Sequence, residues 1–384
     1  MACTTTWTIR INDAMARVVV SVTNDLVGDR RVAKVCGSLH DAGHDVLLLG
    51  CIKGRTGEIR TPYRVRRMKM LARRGFLFYM EYNVRLFFIL LFTRKDVLLC
   101  NDTDALVANY AASVVCRRPL VFDAHELFPE VPELVGRRFV KWFWTKIEDF
   151  IFPRLRHCYT VCQSIADYYA KRYGTRMGVV RNIPVMTMPQ LPAVLPSAVP
   201  VGKKMLLYQG AVNVGRGLEW VIPAMRWLDD CVLVICGNGD LLDEMKALAV
   251  REGVAERVVF TGRIPAGELD AYTVQADAGL VLLDNLGLSY YYSLPNRIFD
   301  FMKFGVPVLA TDFPEIRRVV DACKSGLLIS THDPQEVARL IREMLSEWGT
   351  PAVKERIRAQ AARFDWRNEA KIVLATVDAA LQHK

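Results

Sequence analysis

Apolar and polar positions along the chain fall into a repeating pattern. Short β-branched or aliphatic runs are separated by longer mixed stretches. Arg17–Val22 (RVVVSV) is largely apolar, which suits a strand covered on both faces. Helical spacing follows over 30–42. Gly43 and His44 turn the chain into a second strand, DVLLL at 45–49. Three further short apolar runs, at 96–100, 119–122 and 157–161, each precede a longer segment of helical character. This alternation predicts parallel strands joined by right-handed crossovers, a doubly wound α/β sheet.

The pattern breaks at 186–202, MTMPQLPAVLPSAVPVG. Proline lacks an amide donor and resists helix interiors, so Pro189, Pro192, Pro196 and Pro200 predict an extended linker. Alternation then resumes, with strands expected at 204–208, 231–236, 257–261, 278–283, 307–310 and 326–329. The stretch 351–381 reads as helical. The expected organisation is a Rossmann-like domain at 1–190, a linker at 191–202 and a second Rossmann-like domain at 203–365. A terminal helix at 366–384 is expected to pack back on the first domain.

Composition adds bounds. The chain has 384 residues, enough for two or three domains at about 150 residues each. Hydrophobic residues make up 52% and charged residues 24%, which excludes a disordered or collagen-like chain. Ten cysteines are too sparse for a disulfide framework, and no pair has the C-x-x-C spacing of a zinc site. The first fifteen residues are polar and mixed, so no signal peptide is expected.

Charge changes the picture more. The net charge is +10, and residues 1–200 hold 29 basic against 17 acidic residues. A basic half implies an anionic partner. No nucleic-acid recognition motif accompanies it. The run FLFYMEYNVRLFFILLF at 76–92 contains Glu81, Asn83 and Arg85. Central charges are costly in a spanning helix, so a buried or interfacial helix is expected. Arg60, Arg64, Arg66, Arg67, Lys69, Arg73 and Arg74 lie just before it. Basic residues beside an aromatic-rich segment suit a membrane surface, or a solvated face ahead of a core helix.

Four motifs carry candidate chemistry. YQGAVNVGRG at 208–217 follows a strand and precedes a helix expected near Leu218. Gly210, Gly215 and Gly217 let backbone approach a ligand, and Arg216 offers a guanidinium to a phosphate. The turn CGNGDLL at 236–242 begins like a dinucleotide fingerprint, but Leu242 replaces its third glycine. In YYYSLPNRIFDFMKFG at 290–305, Pro295 suits a first helical turn and Ser293 its cap. Amides near Ser293 and Leu294 would then face a phosphate, and Asp300 could hold a ribose. FDAHELF at 122–128 places Asp123, His125 and Glu126 at a strand's carboxyl end, where His125 could exchange hydrogen bonds with a sugar hydroxyl.

Together these segments resemble the family-4 retaining glycosyltransferases of the GT-B fold, in which two Rossmann-like domains face each other across a cleft. VFDAHELFPEVPEL, YQGAVNVGRGLEW, VVFTGRIP and SLPNRIFDFMKFGVPVLATDFPEI carry the resemblance, and the first looks like a bacterial cell-surface glycan branch. It implies transfer of a hexosyl group from a nucleotide-diphosphate sugar to a glycan or polyprenyl-phosphate-linked acceptor. No metal or other cofactor is implied. Arg216 would bind the donor diphosphate, with Arg297 beside it. Asp300 would hold the ribose at the second Glu of the family's Glu-x7-Glu motif, while Tyr292 stands at the first. The Arg usual after the donor-loop glycine is Ala211 here. Gly210, Asn213, Gly215, Gly237, Ser293, Leu294 and Asn296 would complete the donor site, with Arg263 and Ile264 beside the base. His125 would contact the transferred sugar. Asn24, Asp25, Asp29 and Glu126 would serve the acceptor. A cytoplasmic protein, touching the inner face of an anionic membrane, is the expected setting.

Two other readings use the same residues. A nucleotide-sugar 2-epimerase shares the two-domain fold and needs no acceptor. A degenerate transferase acting as a partner subunit would bind nucleotide without turnover, and Tyr292 is the residue that raises it.

Overall fold

The computed structural model describes residues 15–52, 59–131, 134, 136–189, 199–200 and 202–382. The linker expected at 191–202 falls mostly outside them. The chain forms two compact units, residues 1–181 with 367–384, and residues 182–366. The division comes ahead of the proline-rich stretch for a local reason. The Met186 amide donates to Asp365 (3.0 Å) and the Trp366 amide to the Pro184 carbonyl (3.1 Å). Ile183 is already buried in the second unit's core.

The first unit is built on a seven-stranded, all-parallel sheet. Its strands are β1 (Arg17–Ser21), β2 (Asp45–Ile52), β3 (Arg64–Lys69), β4 (Val97–Asn101), β5 (Leu120–Ala124), β6 (His157–Thr160) and β7 (Gly178–Val179). Their order is β3-β2-β1-β4-β5-β6-β7. Val18, Val19 and Val20 of β1 are buried on both faces, as a central parallel strand requires. The chain grows leftward from β1 and then returns to its right, so the switch point lies between β1 and β4. Right-handed crossovers then place α1 (Arg30–Asp41) on one face. They put α2 (Gly75–Phe92), α3 (Leu106–Cys116), α4 (Arg138–Ile151) and α5 (Gln163–Tyr173) on the other.

β3 was not foreseen as a strand. RVRRMK shows no apolar alternation because it is an edge strand, largely exposed, where basic side chains discourage further pairing. β7 has only two residues and gives no periodic signal.

The second unit has a six-stranded parallel sheet. It comprises β8 (Lys204–Gln209), β9 (Cys231–Cys236), β10 (Val258–Gly262), β11 (Ala278–Val281), β12 (Val308–Thr311) and β13 (Gly326–Ile329). The order is β10-β9-β8-β11-β12-β13, with the switch point between β8 and β11. Helices α6 (Leu218–Ala224), α7 (Leu242–Arg251), α8 (Ala266–Thr273), α9 (Leu288–Tyr291), α10 (Asn296–Lys303), α11 (Pro314–Cys323), α12 (Pro334–Glu347) and α13 (Pro351–Ala361) belong to it. α10 buries Ile298, Phe299, Phe301 and Met302. It lies so close to the sheet that a β-carbon on Gly279 would sit 2.5 Å from the Phe301 ring.

The helical stretch expected at 351–381 is two helices with different allegiances. α13 stays with the second unit, while α14 (Trp366–Gln382) belongs from Arg367 onward to the first. Buried Glu369 fixes it there, accepting from the Arg181 amide (2.8 Å) and pairing with the Arg181 guanidinium (3.1 Å).

Candidate active site

Ligands of doubly wound sheets gather at the carboxyl ends of strands beside the switch point. In the first unit, the register opposes Asn101 at the end of β4 to Asp123 on β5. This brings Asn101, Asp102, Asp123 and His125 to one edge. The His125 amide donates to Asp102 Oδ1 (2.8 Å), and its Nδ1 lies 3.0 Å from Asp102 Oδ2. Its Nε2 is 3.2 Å from both Asp123 Oδ2 and Asn101 Oδ1. Asp123 is fully buried and receives Arg31 through Nε (3.0 Å) and Nη2 (2.6 Å). The remaining arm of Arg31 donates to the Val180 carbonyl (2.8 Å).

The electrostatics follow from this geometry. Burial alone would favour a neutral imidazole, but Asp102 and Asp123 outweigh it and raise the His125 pKa well above its ordinary value. Burial would also raise Asp123, yet Arg31 and His125 hold it below the usual carboxylate range. The cluster therefore holds two anions and two cations. Both ring nitrogens of His125 are turned to acceptors inside the protein. Both ring nitrogens expected near a sugar hydroxyl thus already have partners at the neighbouring strand ends.

Asp102 adopts φ +63° and ψ 162°, a region nearly reserved for glycine that costs about 1–3 kcal/mol. Its amide donates to the Asp123 carbonyl (2.9 Å). Below it, the Thr103 hydroxyl donates to Glu148 (3.2 Å). Burial pushes the Glu148 carboxyl up to about 8 despite hydrogen bonds from Thr103, Tyr173 and Tyr169.

The residues expected to meet an acceptor have local duties. Asn24 Oδ1 accepts from the Leu26 amide (2.8 Å), its amide group donates to Asp29, and Asp25 accepts from the Val27 amide (3.1 Å). Asp29 caps α1 through the Val32 amide (3.0 Å). Three of the four thus shape the loop after β1. Glu126 is exposed, and its carbonyl accepts from Tyr169 (3.4 Å).

In the second unit, the loops after β8 and β9 are laced together by backbone bonds. The Gly210 amide donates to the Cys236 carbonyl (3.1 Å), Val212 to Asn238 (3.1 Å) and Leu241 to Val212 (3.0 Å). Asn213 Oδ1 accepts from the Asp240 amide (3.1 Å). A β-carbon on Gly237 would fall 1.8 Å from the Gly210 carbonyl oxygen. The G-x-G spacing of this turn is thereby explained by loop against loop. Gly237→Ala is expected to lower the melting temperature by about 2–10 °C and to weaken nucleotide binding with it. Thermal scans with and without nucleoside diphosphate read both effects.

Two guanidinium groups meet at this loop. Arg297 is buried on α10, donates from Nη1 to the Gln209 carbonyl (3.1 Å) and lies 4.8 Å over the Tyr208 ring. Its Nε and Nη2 are buried without a partner. Arg216 lies 5.0 Å over the Tyr290 ring, its Nε likewise buried and unpartnered. Among the described residues no carboxylate pairs with either. Burial, with Arg216 close by, pulls the Arg297 pKa below its ordinary value. Unpaired buried cations are costly, so this pair is chemically suited to an anion.

Other expected donor residues fall nearby in the fold. Gly215 has φ +76°, and a β-carbon there would strike Leu286 at 2.4 Å. Asp300 is half-buried on α10, one turn beyond Asn296. Arg263 is exposed and Ile264 half-buried, both just past β10. Ser293 needs correction. Its amide (3.0 Å) and hydroxyl (2.7 Å) both donate to the Tyr290 carbonyl, so neither faces a phosphate. The residue preceding α10 is Pro295, not Ser293, and Leu294 stands half-buried before it. The helix at Leu218 runs only seven residues behind Gly217 in the left-handed region.

Sequence reasoning passed over Asp102, Asn101 and Arg31. The strand-end argument that singled out His125 applies equally to Asn101-Asp102 after β4. Arg31 gave no signal, since its partner lies 92 positions away.

Residues 196–364 match the family Glycosyl transferases group 1, and residues 28–184 match Glycosyltransferase Family 4. The chain belongs to the family-4 glycosyltransferases. Its fold is similar to that of a sucrose-phosphate synthase from Thermosynechococcus elongatus (TM-score 0.78, 16% identity, 96% of this chain and 100% of that one). It is similar also to Anabaena HepE in complex with UDP-glucose (TM-score 0.72, 15% identity, 95% and 100%). These likenesses establish the GT-B fold. In sequence, 135 residues are 31% identical to a GDP-mannose-dependent phosphatidylinositol monomannoside mannosyltransferase of Mycobacterium tuberculosis. That match covers 34% of this chain and spans about a third of the relative's length (35%).

Proposed function

We propose that the protein is a retaining, metal-independent hexosyltransferase. It moves a sugar from a nucleotide-diphosphate sugar to a glycan or polyprenyl-phosphate-linked acceptor in cell-surface polysaccharide assembly. It works in the cytoplasm, against the inner face of the membrane. The observation that carries the reading is the Arg216–Arg297 pair at the glycine loop after β8, two cations that no carboxylate pairs with among the described residues. Breaking the sugar–phosphate bond builds negative charge on the leaving diphosphate, and preorganised guanidinium groups stabilise it. The acceptor hydroxyl then bonds to the anomeric carbon on the same face, its proton passing to the departing diphosphate.

Asp300 holds the ribose in this reading, with Arg263 and Ile264 beside the base and Gly210 and Asn296 near the phosphates. His125 serves the sugar as a fixed positive charge rather than as a free ring donor. Both matching families are glycosyltransferases and the mycobacterial relative is a mannosyltransferase, which favours transfer over 2-epimerisation. Tyr292 in place of a glutamate leaves the diphosphate to Arg297.

HepE was solved with UDP-glucose and the mycobacterial relative is GDP-mannose-dependent, so both bases belong in the test. A thermal-shift panel of UDP, GDP, ADP, CMP and their sugar conjugates is expected to show one clear stabilisation, since a ligand of the native state alone raises its stability. Asp300→Asn should weaken that shift by about tenfold in ligand concentration, the scale of one hydrogen bond to a charged group. A panel without any shift would sink the donor site, and a shift without sugar transfer to any acceptor would favour an inactive partner subunit.

A further inference from the structure

Helix α2 is apolar on opposite sides. Phe78, Tyr82, Leu86 and Leu90 are buried toward the sheet. Phe76, Met80, Val84, Phe88 and Phe92 form a second stripe at four-residue spacing, about half a turn around the helix. All five are exposed, Phe92 at 85%. A helix that is apolar all round is normally enclosed on every side or embedded in lipid. This one is covered on one side only.

The exposed stripe is continuous with its neighbours. Phe76 packs edge-on against Phe143 of α4 (5.7 Å), and Tyr110 of α3 against Phe150 of α4 (6.2 Å). Between α3 and α4 runs an apolar groove of about 730 Å³, lined in part by Val107, Val114, Trp142 and Phe150. Val114 and Trp142 are themselves exposed, and Phe139 at the start of α4 is 73% exposed. Exposed apolar side chains thus run from α2 to the start of α4, and contiguous apolar patches of this kind mark interaction sites.

Charge rims this face. Arg73 and Arg74 precede α2, Arg137 and Arg138 begin α4, and all four are exposed. Among the described residues none of them is in an ion pair. The nearby acids are already engaged: Glu81 by Arg85 (2.7 Å), Asp149 by Lys146 (3.0 Å) and Glu130 by Lys141 (2.7 Å). Free guanidinium groups at the ends of apolar helices are complementary to anionic headgroups over hydrocarbon.

We propose that the α2–α3–α4 face is the surface by which this protein lies on an anionic bilayer. The α2 stripe and Phe139 enter the acyl boundary, the groove between α3 and α4 takes an acyl chain, and the arginines hold the headgroups. The inference gives the membrane contact of the transferase reading its location and rests on that reading for nothing else.

The test is flotation of the full chain with vesicles of phosphatidylcholine alone, or of phosphatidylcholine and phosphatidylglycerol in equal parts, at low and high salt. Preferential binding to the mixed vesicles, weakened by salt, is expected. Val84→Glu with Phe88→Glu should cost about tenfold per position, and Arg137→Glu with Arg138→Glu a similar factor. These side chains are exposed, so melting temperature and nucleotide-induced stabilisation should stay unchanged. Equal flotation with neutral vesicles, or none, would overturn the proposal. So would a dimer in light scattering that the Glu substitutions disperse, since a second copy would then cover the face. An unsubstituted chain that binds nucleotide but not vesicles counts against this surface alone, and one that binds vesicles but not nucleotide counts against the transferase alone.

Discussion

Replacing Arg297 with methionine is expected to stabilise the protein while removing its donor affinity. The guanidinium is buried with two of its nitrogens unpartnered and no carboxylate paired with it among the described residues. Methionine fills similar volume without charge. The change forfeits one hydrogen bond to the Gln209 carbonyl and the stacking over Tyr208. It also relieves an uncompensated buried charge, the larger effect. A net gain of about 1 kcal/mol would raise the melting temperature by about 2–4 °C for a unit of this size. Against a diphosphate the same change removes one of two preorganised cations, which should cost about 10²- to 10³-fold in kcat. Calorimetric titration with UDP and GDP, beside a thermal scan, reads the two effects separately. A melting temperature that falls, with nucleotide affinity intact, would show that Arg297 belongs to the fold and not to a ligand. Arg216→Ala should lower turnover on the same scale with little effect on stability, because Arg216 is only half-buried.

The two clusters of charge differ in a way that decides how each should be read. At the end of β4 and β5 the charges balance: Arg31 and His125 face Asp102 and Asp123. Such a set is complete without a ligand. At the end of β8 they do not balance: two arginines stand over aromatic rings, and among the described residues no acid pairs with either. The second cluster is thus chemically suited to an anion, while the first is a self-contained scaffold of paired charge.

Much of the fold was legible because buried parallel strands are short apolar runs, and eleven of them announced themselves in that way. β3 was hidden by its arginines, since an edge strand need not alternate. The terminal helix expected at 366–384 is α14, which starts at Trp366 and belongs to the first unit from Arg367 onward. In the donor loop the glycines and arginines were visible. The partner of each was not: Tyr208 beneath Arg297 and Tyr290 beneath Arg216 are set by how α10 and α9 return to the sheet. Ser293 misled because Ser-x-Pro reads as a cap, whereas the four-residue α9 just before it claims both its amide and its hydroxyl. The loop residues Asn24, Asp25 and Asp29 likewise carry local hydrogen bonds that their residue types alone did not announce. Short polar side chains satisfy nearby amides before they reach a ligand.

Asp102→Asn should release the His125 ring while leaving the loop in place. Asparagine tolerates a positive φ about as well as aspartate, and its carbonyl can still accept from the His125 amide. It carries no charge to hold the imidazolium. The His125 pKa, raised in the native protein by Asp102 and Asp123 against the pull of burial, should fall toward the ordinary value near 6.5. The linkage has a definite sign. A histidine whose folded pKa is raised stabilises the fold fully below its unfolded pKa, and that stability is lost as pH rises through the folded pKa. In the native protein this contribution is therefore full below about pH 6.5 and declines as pH rises from there through the raised folded pKa. The variant should have a smaller contribution, lost completely at a lower pH. Urea midpoints measured across pH would show the difference, and histidine proton resonances, assigned with His125→Gln, would give the ring's titration directly. If the imidazolium serves the transferred sugar as a fixed charge, the alkaline limb of kcat/KM moves to lower pH in step with that titration. Alkaline limbs that coincide in the two proteins would reduce the His125 cluster to a structural role, however tightly Asp102 holds the ring.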